Sequence, residues 1–420
     1  MPTLRTLTLG CKVNQYETEL VREGLARLGF RDAQGDEPAD LCIVNTCTVT
    51  AQSDRKSRKA VRQLARDNPR AEIVVMGCYA TRAAEAVRAL PGVVEVLTDK
   101  RQIADFLSRR GVLDVPTGIS RFGHRARAYV KVQDGCRMKC SYCIIPYARG
   151  DLSSRPLADI VEEVRRLADS GHREIVLAGI HLGHWGLEWP GEKLGLVDLV
   201  EAILRLEGPF RLRLSSLEAV EVSARLLALM AEHPRRICPH LHLSMQSGSD
   251  AVLARMERRW ASARFVEKCL EVKESLPAPA LTTDVIVGFP GETEADFEAS
   301  CRRVEQVGFS KVHVFRFSPR QGTPAAEMPD QIDPAVRQRR ASHLIELAEQ
   351  LRSRFFQSLL GCRLQVLVES ADASGTGELL GTSARYAPVA TSGPADLVGR
   401  LAEVEARGAT GEGVAGRLIG

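Results

Sequence analysis

Strand-like runs alternate with amphipathic segments over residues 1–110. Runs at 4–9, 41–44 and 73–76 are rich in Leu, Ile and Val and have the length of buried strands. Each is followed by apolar residues at helical spacing, over 14–28, 54–66 and 82–90. Strands that alternate with helices in this way pair in parallel, so a small parallel α/β sheet is predicted.

The middle of the chain repeats the same alternation six times. The predicted strands are 128–132, 175–178, 211–215, 240–245, 281–287 and 312–317, with helical patterns between them. Six β/α units are two fewer than a closed eight-stranded barrel needs, so an open (β/α)6 partial barrel is predicted. In parallel α/β folds the chemistry lies at the carboxyl ends of the strands.

The last part of the chain changes pattern. A long helical segment over 335–360 is followed by short alternating strands such as 363–369, which glycine-rich turns like 374–377 separate. This pattern is typical of a small all-β module. The fold class is therefore α/β with a terminal β-barrel. The predicted domains are 1–112, 122–355 and 356–420, with a linker around 112–120 that contains Pro116 and Gly118.

Composition narrows the class of protein. Of 420 residues, 44% are hydrophobic and 26% are charged, as in ordinary globular proteins. Neither an uninterrupted apolar stretch of membrane-spanning length nor a secretory signal is recognisable, so a cytoplasmic protein without membrane contact is predicted. The chain has eleven cysteines, an odd number that cannot all pair in disulfides. Thiolates that bind metal are therefore expected rather than a disulfide framework.

The strongest local signal is the octet CRMKCSYC at 136–143, just beyond the first barrel strand. Its thiols, Cys136, Cys140 and Cys143, have the spacing C-x3-C-x2-C. Three ligands suit a [4Fe–4S] cluster with one iron left open, because a fully ligated cluster takes four cysteines. The alternative is a zinc site that recruits its fourth ligand from elsewhere.

A second cysteine set lies in the first domain. Cys11, Cys47 and Cys78 each follow a predicted strand and precede a helix. Parallel strands end at one edge of a sheet, so these three thiols are expected to converge on a second cluster with an open iron. We interpret the other five as small apolar side chains: Cys42, Cys238, Cys269, Cys301 and Cys362.

Polar residues at period two in the barrel strands predict a polar lumen. His240, His242, Ser244 and Gln246 share one face, as do Arg213 and Ser215, with Glu218 just beyond and Asp284 on the fifth strand. A hydrogen-bonded interior without a chemical role is the alternative.

Positive charge is concentrated after Cys47. Arg55, Lys59, Arg62 and Arg66 fall on one helix face, which could neutralise RNA phosphates or could be an ordinary solvated face. Residues 362–420 hold 5 Arg and no Lys against 7 Asp and Glu, a net charge of about −2. In that module only Arg385 and Tyr386 combine a basic and an aromatic side chain, as base-stacking sites do.

The octet, Tyr142 included, resembles the motif of the radical S-adenosylmethionine superfamily. The remaining motifs are similar to those of its methylthiotransferase family, whose terminal module is an RNA-binding TRAM domain. They are LGCKVNQYE at 9–17, NTCTVT at 45–50, MGC at 76–78, IIPYARG at 144–150, HLSMQSGSD at 242–250 and DVIVGFPGET at 284–293.

The resemblance implies an enzyme with two [4Fe–4S] clusters and S-adenosylmethionine. Cys136, Cys140 and Cys143 would hold the radical-generating cluster, and Cys11, Cys47 and Cys78 an auxiliary cluster that supplies sulfur. Contacts to S-adenosylmethionine are expected from Tyr142, Gly179, Ser215, Glu218 and Gln246. Contacts to RNA are expected from Arg55, Lys59, Arg62, Arg66 and Tyr386.

The CKVNQYE and CSYC strings look most like the branch acting on N6-threonylcarbamoyladenosine at position 37 of tRNA, next to the anticodon. The implied partners are tRNA, an electron donor of flavodoxin or ferredoxin type and a sulfur source. One alternative is the same chemistry on isopentenyladenosine or on a ribosomal-protein aspartate. The other is a non-catalytic iron–sulfur carrier or electron-transfer protein.

Overall fold

The first domain is a five-stranded parallel sheet with helices on both faces. The computed structural model describes residues 1–123, 125–191, 194–372 and 377–419. Strands in this domain are β1 (Thr3–Thr8), β2 (Arg31–Asp32), β3 (Leu41–Thr46), β4 (Glu72–Gly77) and β5 (Val93–Val96). Helices are α1 (Lys12–Ala26), α2 (Ala51–Asp67), α3 (Cys78–Arg82), α4 (Ala84–Arg88) and α5 (Gln102–Arg109). The strand order is β2-β1-β3-β4-β5, which confirms the predicted parallel sheet.

Sheet burial explains the apolar runs of this domain. Leu41 and Ile43 of β3 pack into one apolar cluster, whereas Cys42 and Val44 pack into a second cluster on the other face. A strand buried on both faces reads as a continuous apolar run. The helix predicted over 82–90 is wrong in its bounds, because a non-helical backbone at Ala83 separates α3 from α4.

The second domain is the predicted open partial barrel. Its strands are β6 (Arg127–Lys131), β7 (Gln133–Asp134), β8 (Ser153–Ser154), β9 (Glu174–Ala178), β10 (Arg211–Leu214), β11 (Ser216–Leu217), β12 (His240–Leu243), β13 (Ala280–Val287) and β14 (Lys311–Arg316). Its helices are α6 (Ile145–Arg149), α7 (Leu157–Asp169), α8 (Leu196–Leu204), α9 (Ala224–Glu232), α10 (Asp250–Arg255), α11 (Ser262–Ser275) and α12 (Glu294–Val307).

Strand pairing in this domain follows chain order. One sheet has the order β10-β9-β6 and the next has the order β11-β12-β13-β14, with parallel pairing in both. The third predicted strand is broken at Ser215 into β10 and β11, which is where the two sheets divide. The edges of the barrel are therefore β6 and β14. A short antiparallel pair, β7 with β8, flanks the segment that contains the octet.

The first domain lies across the opening between these two edges. On the β6 side, Lys131 and Arg149 each approach the Glu17 carboxylate of α1, at 3.1 and 3.0 Å. On the β14 side, Arg320 donates to Asp54 at 2.6 Å and to Thr48 at 2.9 Å. The carboxyl edge of the first sheet is thereby brought next to the carboxyl end of the barrel.

The third part of the chain is a closed five-stranded barrel. After α13 (Pro324–Glu327) and the long α14 (Pro334–Ser358) come β15 (Arg363–Ala371), β16 (Glu378–Ser383), β17 (Pro388–Ser392), β18 (Leu401–Ala409) and β19 (Val414–Ile419). They close in the order β15-β16-β17-β19-β18. Residues 374–376 of the predicted turn lie outside the described residues. None of the described helices is both long and apolar enough to cross a membrane.

A buried ion network joins this small barrel to the base of the large one. Glu174 is fully buried and receives Arg127, Arg211 and Arg213 at 2.6 to 2.8 Å. Arg211 also donates to the backbone carbonyls of residues 365 and 382, and Arg213 to those of 383 and 384. Burial alone would raise the pKa of Glu174, but Arg213 and Arg211 outweigh it and hold this pKa well below its usual range.

Glu174→Ala is expected to lower the free energy of unfolding by about 3–5 kcal/mol, because three guanidinium groups, two of them fully buried, lose their common carboxylate. Urea unfolding at neutral pH measures this loss. Glu162→Ala is the control, since Glu162 pairs with Arg165 in an exposed ion pair that contributes about 0–1 kcal/mol. Equal stability of the two variants would contradict a structural role for the network.

Candidate metal centres at the domain interface

The octet forms a tight turn between β7 and α6. Gly135 precedes it with φ of +69°, and a Cβ at this position would lie 1.8 Å from the carbonyl oxygen of Asp151. Only glycine fits such a backbone approach. The Cys136 N–H donates to the Gly150 carbonyl at 3.3 Å, and the Cys143 N–H donates to the Cys140 carbonyl at 3.0 Å. The turn therefore brings the three thiols together at the barrel mouth.

Donor groups point at the sulfur atoms of this turn. The Met138 N–H lies 3.3 Å from Cys136 Sγ, and Arg258 Nη1 lies 3.6 Å from Cys140 Sγ. Burial, with a smaller contribution from the neighbouring Cys140 and Cys136, raises the pKa of Cys143 to about 12. Three sulfur donors on one turn, with N–H groups that stabilise thiolate charge, fit a [4Fe–4S] cluster with one open iron.

Sequence reasoning missed Arg258 and Gln133, which support this turn. The Arg258 guanidinium also binds the carboxylate of Glu218, which in addition accepts the Trp260 indole N–H at 3.1 Å. Gln133 Oε1 accepts the His181 N–H at 2.8 Å, and its Nε2 donates to the Gly135 carbonyl at 2.7 Å. Gln133 thus connects the loop after β9 to the octet turn.

Two histidines of the loop after β9 were also missed. His181 Nδ1 lies 3.9 Å from Cys136 Sγ, and its Nε2 is 2.6 Å from Glu221. His184 stacks on His181 with ring centroids 3.5 Å apart. Burial would lower the pKa of His181, but hydrogen bonds to Cys136 and Glu221 raise it to about 9. The sequence feature that could have revealed them is a pair of histidines, three positions apart, just after Gly179.

The residues predicted to contact S-adenosylmethionine lie in the octet itself or directly beyond the ends of barrel strands. Tyr142 packs edge-on against Phe289, and burial raises its pKa well above the usual value. Gly179 directly follows β9, where a Cβ would lie 3.0 Å from Gln133 Oε1. Ser215 has a buried hydroxyl without a hydrogen-bond partner among the described residues. Gln246 has φ of +64°, uncommon for a residue with a side chain.

The second cysteine set lies at the carboxyl edge of the first sheet. Cys11 caps the amino end of α1, Cys47 follows β3, and Cys78 begins α3. A Cβ at Gly10 would lie 3.1 Å from the Cys47 Cβ. Burial raises the pKa of Cys78 to about 12, and Cys11 and Cys47 are both near enough to contribute to this rise. The three thiols therefore share one neighbourhood and form a second set of three sulfur donors.

Asn14 ties the strand ends of this second site together. Its Nδ2 donates to the carbonyls of Leu9 and Thr46, at 2.9 and 3.0 Å. Gly77 has φ of +95°, and a Cβ there would lie 2.2 Å from Asn45 Oδ1. The turn that carries Cys78 can therefore approach the neighbouring strand only with glycine at this position.

Arg149 connects the two cysteine sites. Its guanidinium donates to Asn14 Oδ1 at 2.5 Å and to both carboxylate oxygens of Asp134 at 3.0 Å. Asp134 in turn accepts the Gly135 N–H at 2.7 Å, next to Cys136. This buried chain fixes the position of one cysteine site relative to the other. Sequence reasoning noted the string that contains Arg149 but not this contact.

The predicted RNA-binding residues lie in two places. Arg55, Lys59, Arg62 and Arg66 are all exposed on α2, and none forms an ion pair with another described residue. Tyr386 is half-buried, with the Arg213 guanidinium 4.5 Å from its ring centroid and the tilted ring of His240 at a centroid distance of 5.0 Å. Arg385 donates to the carbonyls of residues 277 and 278. Arg385 and Tyr386 therefore dock the small barrel, and base stacking by Tyr386 stays a prediction.

Comparisons with known proteins agree with this architecture. Residues 130–304 match the model of the radical SAM superfamily, and residues 3–99 match that of uncharacterized protein family UPF0004. The structure resembles the radical S-adenosylmethionine methyltransferase TsrM of Kitasatospora setae. That likeness has a TM-score of 0.56 at 15% identity and covers 78% of this chain and 77% of that one. The fold and the octet thus define a radical S-adenosylmethionine enzyme.

Relatives at higher sequence identity show to which family of radical S-adenosylmethionine enzymes the chain belongs. Threonylcarbamoyladenosine tRNA methylthiotransferase MtaB of Bacillus subtilis is 36% identical over 96% of this chain and 94% of its own length. The protein of that name from Chlamydia pneumoniae is 40% identical over 87% of both chains. A tRNA-2-methylthio-N(6)-dimethylallyladenosine synthase from Akkermansia muciniphila is 32% identical over 98% of this chain and 97% of its own length. The chain belongs to the radical S-adenosylmethionine methylthiotransferase family.

Membership of this family confirms the prediction of an enzyme and implies a [4Fe–4S] cluster and S-adenosylmethionine as cofactors. The alternative of a non-catalytic carrier gains no support from these relatives.

Proposed function

We propose that the protein converts N6-threonylcarbamoyladenosine at position 37 of tRNA to its 2-methylthio derivative. The observation that carries the proposal is the pair of three-cysteine sites held together through Asn14, Arg149 and Asp134. One site would start radical chemistry and the other would hold sulfur, so their fixed proximity suits the insertion of sulfur into one bound base. MtaB relatives at 36% and 40% identity support the choice of nucleoside.

In this proposal Cys136, Cys140 and Cys143 hold the radical-generating cluster. When bound, that cluster supplies the electron for reductive cleavage of S-adenosylmethionine, which yields the radical that abstracts hydrogen from adenine C2. The chain's own contribution is positional. Arg258 and the Met138 N–H stabilise the thiolates, and Gln133 fixes the loop after β9 at the side of the turn.

Cys11, Cys47 and Cys78 are proposed to hold the auxiliary cluster that supplies sulfur, with a second S-adenosylmethionine as methyl donor. Tyr142, Gly179, Ser215, Glu218 and Gln246 remain the proposed contacts to S-adenosylmethionine. The proposed contact of Glu218 is supported by its ion pair with Arg258, because Arg258 also lies close to Cys140. A tRNA substrate favours the cytoplasm, with a flavodoxin- or ferredoxin-type electron donor and an external sulfur source as further partners.

The exposed basic face of α2 is proposed to bind tRNA phosphates. Changing Arg55, Lys59, Arg62 and Arg66 to Ala is expected to weaken tRNA binding and flatten its salt dependence by roughly one unit of slope per lost phosphate contact. The slope of log affinity against log salt measures this effect.

A matched control for α2 removes four arginines that are paired on outer barrel helices: Arg165, Arg225, Arg264 and Arg302. Their loss changes the net charge equally but removes no proposed phosphate contact, so we expect a nearly unchanged slope. The proposal for α2 fails if both quadruple variants flatten the slope by the same amount.

Nucleoside analysis tests the proposed function directly. A strain lacking the gene should accumulate N6-threonylcarbamoyladenosine in tRNA and lose its 2-methylthio form, and the wild-type gene should restore it. Loss of the 2-methylthio form of isopentenyladenosine instead would assign the protein to the branch represented by the dimethylallyladenosine synthases, of which the Akkermansia protein is a 32% identical example.

A further inference from the structure

The lumen of the partial barrel contains a polar cluster that neither cysteine site uses. It consists of His242 on β12, Asp284 on β13 and His313 on β14, whose nitrogen and carboxylate atoms lie within 4.8 Å of one another. His242 Nε2 is 3.3 Å from Asp284 Oδ2. The neighbouring residues of these strands, such as Leu243 and Val285, pack outward into the main apolar core. The cluster therefore faces the inside of the barrel.

The strand that carries His242 leads towards the radical cysteine site, and the side chains of the cluster are partly accessible. The Ser244 carbonyl, two residues beyond His242, accepts from Arg258 Nη2 at 3.3 Å, and Arg258 also reaches Cys140. Although they lie inside the barrel, the side chains of His242 and Asp284 keep 13% and 28% of their surface accessible. A polar ligand can therefore reach the side chains of His242 and Asp284.

Lys12 provides a positive charge at the edge of the first domain that faces the barrel. It directly follows Cys11 and begins α1, whose Asn14 and Glu17 contact Arg149 of the barrel. The residue is half-buried, and in the part of the chain that the structure describes its ammonium group has no hydrogen bond or ion pair. Lys12 is within electrostatic range of β14: burial is the main cause of the lowered pKa of His313, and Lys311, His242 and Lys12 also lower it.

An unpaired, half-buried ammonium group calls for an anionic ligand, because a desolvated charge without a partner is costly. The threonylcarbamoyl group carries a carboxylate, a hydroxyl and urea N–H groups. An ammonium, a carboxylate and two imidazoles together can pair with all of these. The isopentenyl group has no polar atom, so it would leave the Lys12 ammonium group without an anionic partner.

We propose that Lys12 binds the carboxylate of the threonylcarbamoyl group, while His242, Asp284 and His313 bind its hydroxyl and urea groups. This lumen cluster then selects N6-threonylcarbamoyladenosine over adenosines with apolar N6 substituents. The inference rests on the proposed function and assigns its substrate selectivity to residues of both domains.

The test is a double-mutant cycle between enzyme and substrate. It removes the Lys12 ammonium group from the enzyme and the threonyl carboxylate from the RNA, separately and together. The reconstituted full-length enzyme is assayed on an anticodon stem-loop RNA that carries N6-threonylcarbamoyladenosine. The second RNA is identical except that the threonyl carboxylate is converted to a methyl amide. The kcat/KM for methylthiolation is measured for wild type, Lys12→Met, Lys12→Arg and the control Lys268→Met, which changes an outer-helix lysine paired with Glu271.

Wild type and Lys268→Met are expected to prefer the carboxylate RNA by about 10- to 100-fold, the range for a hydrogen bond to a charged group. Lys12→Met should lose most of this preference, because the amide RNA already lacks the contact. Lys12→Arg should regain part of it.

Two results would overturn the assignment. One is a wild-type enzyme that acts equally on both RNAs, and the other is an equal loss on both RNAs in Lys12→Met, which would place Lys12 in cluster assembly or folding. In both cases the proposed function stands. A wild-type enzyme that leaves the carboxylate RNA unmodified would overturn the proposed function as well as this assignment.

Discussion

Replacing Cys136, Cys140 and Cys143 together by Ala is expected to abolish the formation of 5′-deoxyadenosine from S-adenosylmethionine. The three thiols share one turn, and within 4 Å their sulfur atoms receive donors from the backbone, Arg258 and His181. Without them the open iron that binds S-adenosylmethionine cannot be held. Chromatography of the nucleoside products after anaerobic reduction measures this loss.

Cys238→Ala is the control for this triple variant, because Cys238 is a buried cysteine of the barrel domain outside the turn. It should retain cleavage. Wild-type levels of 5′-deoxyadenosine from the triple variant would contradict the assignment of the octet.

Replacing Cys11, Cys47 and Cys78 together by Ala is expected to abolish methylthiolation of tRNA while leaving some cleavage of S-adenosylmethionine uncoupled from it. The physical reason is that the octet turn takes its cysteines from the barrel alone, although Arg149 links it to the first domain. Modified nucleosides and 5′-deoxyadenosine are quantified in the same reaction.

Cys42→Ala serves as the matched control, because Cys42 is buried in the strand β3 of the same domain, away from the sheet edge. It should retain methylthiolation. Complete loss of cleavage in the triple variant, with the barrel cluster intact, would count against this division of roles.

The two cysteine sites could be predicted from the sequence because their positions follow from topology. Cys11, Cys47 and Cys78 each come just after a strand, and parallel strands end at one edge of a sheet. The regular alternation of strand-like and helical segments also predicted the six β/α units. The break at Ser215 and the interruption at Ala83 depend on how sheets and helices pack against distant parts of the chain, so local periodicity does not contain them.

Residues that support the sites were harder to predict, since their partners are far apart in sequence. Arg258 reaches Cys140 from a loop 118 positions away, and Arg149 reaches Asn14 across 135 positions. Arg213 shares the strand pattern of Ser215, but it lies in the buried ion network around Glu174 at the base of the barrel. Period two fixes the face of a strand but not the level within the barrel.

The iron and acid-labile sulfide content of the anaerobically reconstituted enzyme tests most directly whether two separate three-cysteine sites each hold a cluster. Wild type should contain about eight iron and eight sulfide per chain, and each triple cysteine variant about four of each. About four iron in wild type, or about eight retained in either triple variant, would contradict the assignment of two independent clusters.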